Sequence, residues 1–128
     1  LPEDYLYSRV EAYQTLFEEI YCPTTGLEAY LASYGYTVDQ MQVEWLEQLK
    51  RQVQAELVFA GIVENESLTI DEAKLDAYVQ EVTSVGNSFF TEAEDVYKFA
   101  GSGSAEAGIN YLKNEMAVKE FITANYDK

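Results

Sequence analysis

Three short stretches of this sequence each carry a helix-start signature, and together they limit what the chain can become. Thr37-Val38-Asp39-Gln40, Thr69-Ile70-Asp71-Glu72 and Thr91-Glu92-Ala93-Glu94 are capping boxes. In such a box a hydroxyl takes an orphan backbone N–H, and an acid or amide three residues on reaches back to the cap. Each box is followed by apolar residues spaced three and four apart, the period of one helical face. No window alternates with period two, and no Asn-Gly or Asp-Gly turn signals a hairpin. The chain therefore reads as all-α.

The helices can be placed along the chain. Pro2 fits a first helical turn, and Glu3 and Asp4 suit its positive end. Leu6, Val10, Tyr13, Leu16, Phe17 and Ile20 mark its buried face. It should stop near Tyr21, because Pro23 disfavours helix at Cys22. Leu27 to Tyr34 reads as a short helix that Gly35 is placed to cap. The longest helix should run from Val38 to Asn65, with Val38, Met41, Trp45, Leu49 and Val53 as its stripe. Leu46, Leu57, Phe59 and Ile62 widen that stripe, and Gly61 marks either a weak point or a close helix contact. A fourth helix should turn Ile70, Leu75, Tyr78, Val79 and Val82 inward and end before Gly86. A short fifth runs through Val96, Tyr97 and Phe99. Gly101-Ser102-Gly103-Ser104 reads as the one flexible stretch, with Ser104 capping a last helix from Ala105 to Asn125. Ile109, Leu112, Met116, Phe121 and Ile122 are its apolar residues.

Charge and residue types exclude several functions. Among 128 residues, 23 acids stand against 8 bases, a net charge of −15. That surface repels phosphate backbones and anionic lipids, so no nucleic-acid partner is expected. No apolar run is long enough for membrane insertion, and the acidic opening Leu1-Pro2-Glu3-Asp4 lacks a signal-peptide pattern. The chain contains no histidine, which removes the commonest general base and transition-metal ligand. The lone Cys22 has no base or cation beside it in sequence to make it a nucleophile. Paired acids such as Glu18/Glu19 and Asp71/Glu72 do not face one another on a helix. No phosphate-cradling glycine loop and no calcium-binding loop pattern occurs. Neither a catalytic residue, a metal ligand nor a cofactor is expected, and the segment is not expected to be an enzyme.

What remains is non-covalent binding. Eleven tyrosines and six phenylalanines are more than an extended set of helices can bury. Apolar surface left uncovered on rigid helices suits the holding of other polypeptides. The candidate contact residues are Phe17 and Tyr21 near the end of the first helix, Phe89 and Phe90 before the third box, and Tyr97 and Phe99 after it. The stripe of the Val38–Asn65 helix could alternatively seat one defined partner helix or a second copy, making the chain a specific interaction or dimerisation module.

The run Leu49-Lys50-Arg51-Gln52-Val53-Gln54-Ala55-Glu56-Leu57-Val58-Phe59-Ala60-Gly61-Ile62-Val63-Glu64-Asn65-Glu66 resembles the central helix of the trigger factor C-terminal domain. Leu68 to Leu75 resembles that family's link and next helix start. Leu1-Pro2-Glu3, Leu27-Glu28-Ala29-Tyr30-Leu31 with Gly35-Tyr36-Thr37, and Asn110 to Asn125 resemble further segments in the same order. Cys22-Pro23-Thr24-Thr25, Gly101–Ser104 and the low lysine content depart from the family pattern.

The resemblance implies an elongated multi-helix domain with helical arms, of SurA-like peptide-binding architecture, over residues 1–128. It implies an ATP-independent chaperone whose partners are unfolded or nascent polypeptides. The family's ribosome-binding and FKBP-like prolyl isomerase domains are absent from this sequence. Ribosome contact and isomerase activity would thus belong to other parts of a parent protein. The implied location is the cytoplasm, or, for an acidic and tyrosine-rich variant, the outer face of a Gram-positive bacterium as a lipoprotein.

Overall fold

The computed structural model describes residues 2–85 and 90–126. It contains six helices: α1 Glu3–Tyr21, α2 Leu27–Ala32, α3 Val38–Asn65, α4 Glu72–Ser84, α5 Ala93–Ala100 and α6 Ala105–Tyr126. Among the described residues there is no strand. The all-α reading is correct.

The helix ends show how local chemistry places them. Thr37 starts α3 as a complete capping box. Its Oγ1 accepts from the Gln40 N–H at 3.1 Å, and the Thr37 N–H donates to Gln40 Oε1 at 2.9 Å. The other two boxes are shifted from their expected positions. At α4 the cap is Asp71, whose Oδ1 accepts from the N–H groups of Ala73 and Lys74. A carboxylate next to the helix start outcompetes the more distant Thr69 hydroxyl. At α5 the reach-back comes from Asp95, which accepts from the N–H groups of Thr91 and Glu92 and from the Thr91 hydroxyl. Ser104 caps α6 as expected, its Oγ accepting from the Ala107 N–H at 3.2 Å. Helix α2 ends at Ala32, two residues short of the expected Tyr34. Gly35, at φ +83°, closes it with bonds from Tyr36 N to Leu31 O and from Gly35 N to Ala32 O.

Two apolar clusters form. The first joins α1, α2 and the first half of α3 through Val10, Cys22, Leu27, Leu31, Trp45 and Leu49. Tyr13 and Phe17 meet Trp45 edge-on and tilted, at centroid distances of 5.5 and 5.2 Å. The second joins α4, α5 and α6 through Leu75, Val79 and Val96, with Ile109, Leu112 and Met116 against them. Helix α3 has 28 residues, about 42 Å of rod, which is long enough to serve both ends. Its second half lies on α6, where Phe59 stacks on Tyr111 at 5.7 Å.

Several inward-facing expectations need correction. Trp45, Leu49 and Val53 are buried against the chain's own helices, so that stripe is not free for a partner. Leu57 and Tyr78 are exposed, because each lies at the margin of its helix's buried face. Gly61 is no close contact, since nothing lies within 4 Å of where its Cβ would stand. Gly61→Ala should therefore stabilise the protein by about 1 kcal/mol, the helix-propensity difference. A higher urea midpoint at unchanged slope would show it.

The largest correction concerns Gly101–Ser104, which is a packed turn and not a flexible one. Gly101 is buried, and a Cβ there would strike Ser104 O and the Gly108 backbone. Gly103, at φ +104°, lies directly against the backbone of Ala12 in α1. Gly108 lies against the Tyr97 carbonyl. Without side chains these glycines let α5, α6 and α1 approach to backbone contact.

Candidate functional site

A buried ion pair anchors this meeting of helices. Arg9, in the middle of α1, is 3 % exposed. Its Nη1 and Nη2 donate to Glu56 Oε1 and Oε2 of α3, both at 2.7 Å. The same guanidinium donates to Tyr5 Oη and to the Gly101 carbonyl, each at 2.9 Å. Burial by itself would lower its pKa, but the bonds to Glu56 and Tyr5 more than offset this and hold it above the usual value. Gln52 adds a bond to Glu56 and another to the Ala100 carbonyl. The turn after α5 is thereby tied to both α1 and α3. Arg9 stands within the apolar stripe of α1, three residues after Leu6 and four before Tyr13, so the periodicity itself places a cation on the buried face. Rarity adds to that signal, because only one basic residue precedes Lys50.

Two hollows flank the point where the turn touches α1. One, of about 600 Å³, lies between the end of α1 and α5. Its apolar wall is Leu16, Ile20, Tyr21, Phe90 and Phe99. Phe90 and Phe99 meet edge to face at 5.3 Å. Tyr21 and Phe99 are 56 % and 61 % exposed, so their rings are open to a ligand. Glu19 and Asp95 line the same hollow with Lys98, which is itself 3.6 Å from Glu94. The second hollow, of about 640 Å³, lies between α1, α3 and α6 and is floored by the Arg9–Glu56 pair.

Of the six candidate contact residues, Tyr21, Phe90 and Phe99 come together in the α1–α5 hollow. Phe17 is half-buried in the first cluster, between Trp45, Tyr30 and Tyr21, and Tyr97 is half-buried against the second. These two are core and not open surface. Phe89 lies outside the described residues. An unpredicted tyrosine ladder continues from Tyr21 through Tyr30 to Tyr34, at centroid distances of 6.4 and 5.2 Å. The sequence hint was the spacing of Tyr30 and Tyr34 by one helical turn.

The arrangement offers binding surface. Cys22 is buried, and burial together with the charge of Glu18 pushes its thiol pKa up, which keeps it protonated and unreactive. Among the described residues no cluster of His, Cys, Asp or Glu is placed to hold a metal ion, and no helix is long and apolar enough to cross a membrane. No family model matches the chain, and neither does any curated protein or solved structure.

Proposed function

We propose that this chain is an ATP-independent chaperone domain, with the architecture of a trigger factor C-terminal domain, that holds unfolded polypeptide. The observation that carries the reading is the α1–α5 hollow, where Tyr21, Phe90 and Phe99 form an open aromatic wall on an acidic surface. A client's large apolar side chain entering such a wall gains roughly 1.5–3 kcal/mol when fully buried. Burial has no directional demand, so many sequences would fit weakly. Glu19 and Asp95 add a salt-screened attraction for basic clients, reaching about 8 Å at physiological ionic strength. The specific-partner reading needs the α3 stripe to be free, and Trp45, Leu49 and Val53 are buried.

The test is suppression of aggregation of a chemically denatured model client. The wild-type chain at several-fold molar excess should delay light scattering. Tyr21→Glu/Phe99→Glu should lose more than half of that effect. Ile122→Glu, which adds charge at an equally exposed position (57 %) outside the hollow, should lose little. A wild-type chain without effect, or equal losses in both variants, would remove the basis for the reading.

A further inference from the structure

The α1–α3–α6 hollow differs in kind from the aromatic one. Helix α6 presents two asparagines to it, Asn110 and Asn114, one turn apart. Among the described residues neither carboxamide has a hydrogen-bond partner. Each group offers both donors and an acceptor. Side chains four apart on a helix stand about 5–6 Å apart at Cβ. An extended chain repeats its outward N–H and C=O groups every two residues, about 6.6 Å. The two carboxamides thus match, in spacing and in hydrogen-bonding type, one edge of an extended main chain. A helical occupant has its main-chain groups already satisfied and could not use them.

The remaining walls agree with such an occupant. Tyr5, Leu57 and Ala60 are exposed apolar surface. Tyr111 is a fixed neutral wall: burial and its hydrogen bond to Glu115 push its hydroxyl pKa up to about 12. Among the described residues the only cation lining the hollow is Arg9, which Glu56 already neutralises, whereas Glu106 is exposed at the rim. The charge complement is a segment carrying Lys or Arg.

We infer that Asn110 and Asn114 clamp the main chain of an extended, cationic polypeptide segment in the α1–α3–α6 hollow. This is a second holding site, reading backbone where the α1–α5 hollow takes side chains. It rests on the polypeptide-holding reading for its biological sense but not for its chemistry. Main-chain bonding of this kind gives affinity independent of sequence.

The probe is a fluorescein-labelled nine-residue peptide of alternating lysine, leucine and threonine, followed by anisotropy with the full chain. Its twin carries N-methyl groups on alternate amides, which removes the donors on one edge. Asn110→Ala/Asn114→Ala should bind the plain peptide about tenfold more weakly, as expected for two lost hydrogen bonds. The wild type should bind the methylated twin about tenfold more weakly as well, and the double variant should no longer distinguish the two peptides. If the double variant loses helicity, Asn110→Ala alone, at an exposed position, should cost about threefold. No binding by the wild type, equal affinity of variant and wild type, or indifference to methylation would overturn the inference. So would equal affinity for a helix-stapled peptide of the same composition. A wild type that suppresses aggregation but ignores the peptide sinks this inference alone. One that binds the peptide but suppresses nothing sinks the chaperone reading alone.

Discussion

Gly108→Ala should destabilise the protein by about 3 kcal/mol or more, a cost at the upper end for overpacking. The added methyl would overlap the Tyr97 carbonyl, which is backbone within α5 and cannot rotate away. Relief requires α5 and α6 to separate, and that pairing is the most extensive among the described helices. Separation would also pull the Gly101 carbonyl from Arg9. Urea unfolding should show a midpoint far below wild type, or no folded baseline, since domains of this size have only about 5–15 kcal/mol in total. The same substitution at Gly61 should act in the opposite direction, because its surroundings are open. A near-neutral Gly108→Ala would mean that the α5–α6 approach is looser than described.

Glu56→Leu should cost about 3–5 kcal/mol, the usual penalty for stranding a buried charge. The change leaves the Arg9 guanidinium buried without its carboxylate. Arg9→Met should cost somewhat less, since Glu56 sits at the margin and can recruit water. It also removes one of the two donors to the buried Gly101 carbonyl, which keeps the Ser104 N–H, a net loss of about 0.5–1.5 kcal/mol. Arg9→Met/Glu56→Leu should recover much of the loss, because a buried pair is often replaceable by apolar residues of similar volume. Full recovery is not expected, because the Gly101 carbonyl loses its charged donor and keeps only the longer bond from the Ser104 N–H, at 3.3 Å. A double-mutant cycle from urea midpoints should yield a coupling of at least about 2 kcal/mol. Additive losses would mean that the two residues stabilise the protein separately. In that case the ion pair would not be the clasp between α1, α3 and the α5–α6 turn.

The two variants bear on function as well as stability. Both hollows have α1 as a wall, and the seating of the Gly101–Ser104 turn on Ala12 lies between them. Loosening the clasp should alter both hollows together. The surface substitutions at Tyr21, Phe99 and Asn110 should each alter one.

Helix type and position were readable from local chemistry alone. Capping groups act within three or four residues, and a buried face repeats every 3.6, so both signals lie within one helix. Hence α3 begins and ends where its cap and periodicity place it, and α1 stops ahead of Pro23. The aromatic wall was half readable. Tyr21 and Phe99 are large apolar residues near helix ends, but Phe17 and Tyr97 look the same in sequence and are packed against the two clusters. Only the neighbours across space separate them. The glycines were misread for the same reason. Gly101 and Gly103 resemble a linker when taken alone, yet Gly103 lies against the backbone of Ala12, far off in sequence, and Gly101 against that of Gly108 in the next helix. The Arg9–Glu56 pair spans 47 positions, and nothing local to either residue names the other. The sequence by itself determined which segments are helical, because helix formation is decided over a few turns. Which faces meet, which rings stay open and where the hollows lie were decided only by tertiary packing, because those outcomes depend on contacts between residues that the chain keeps far apart.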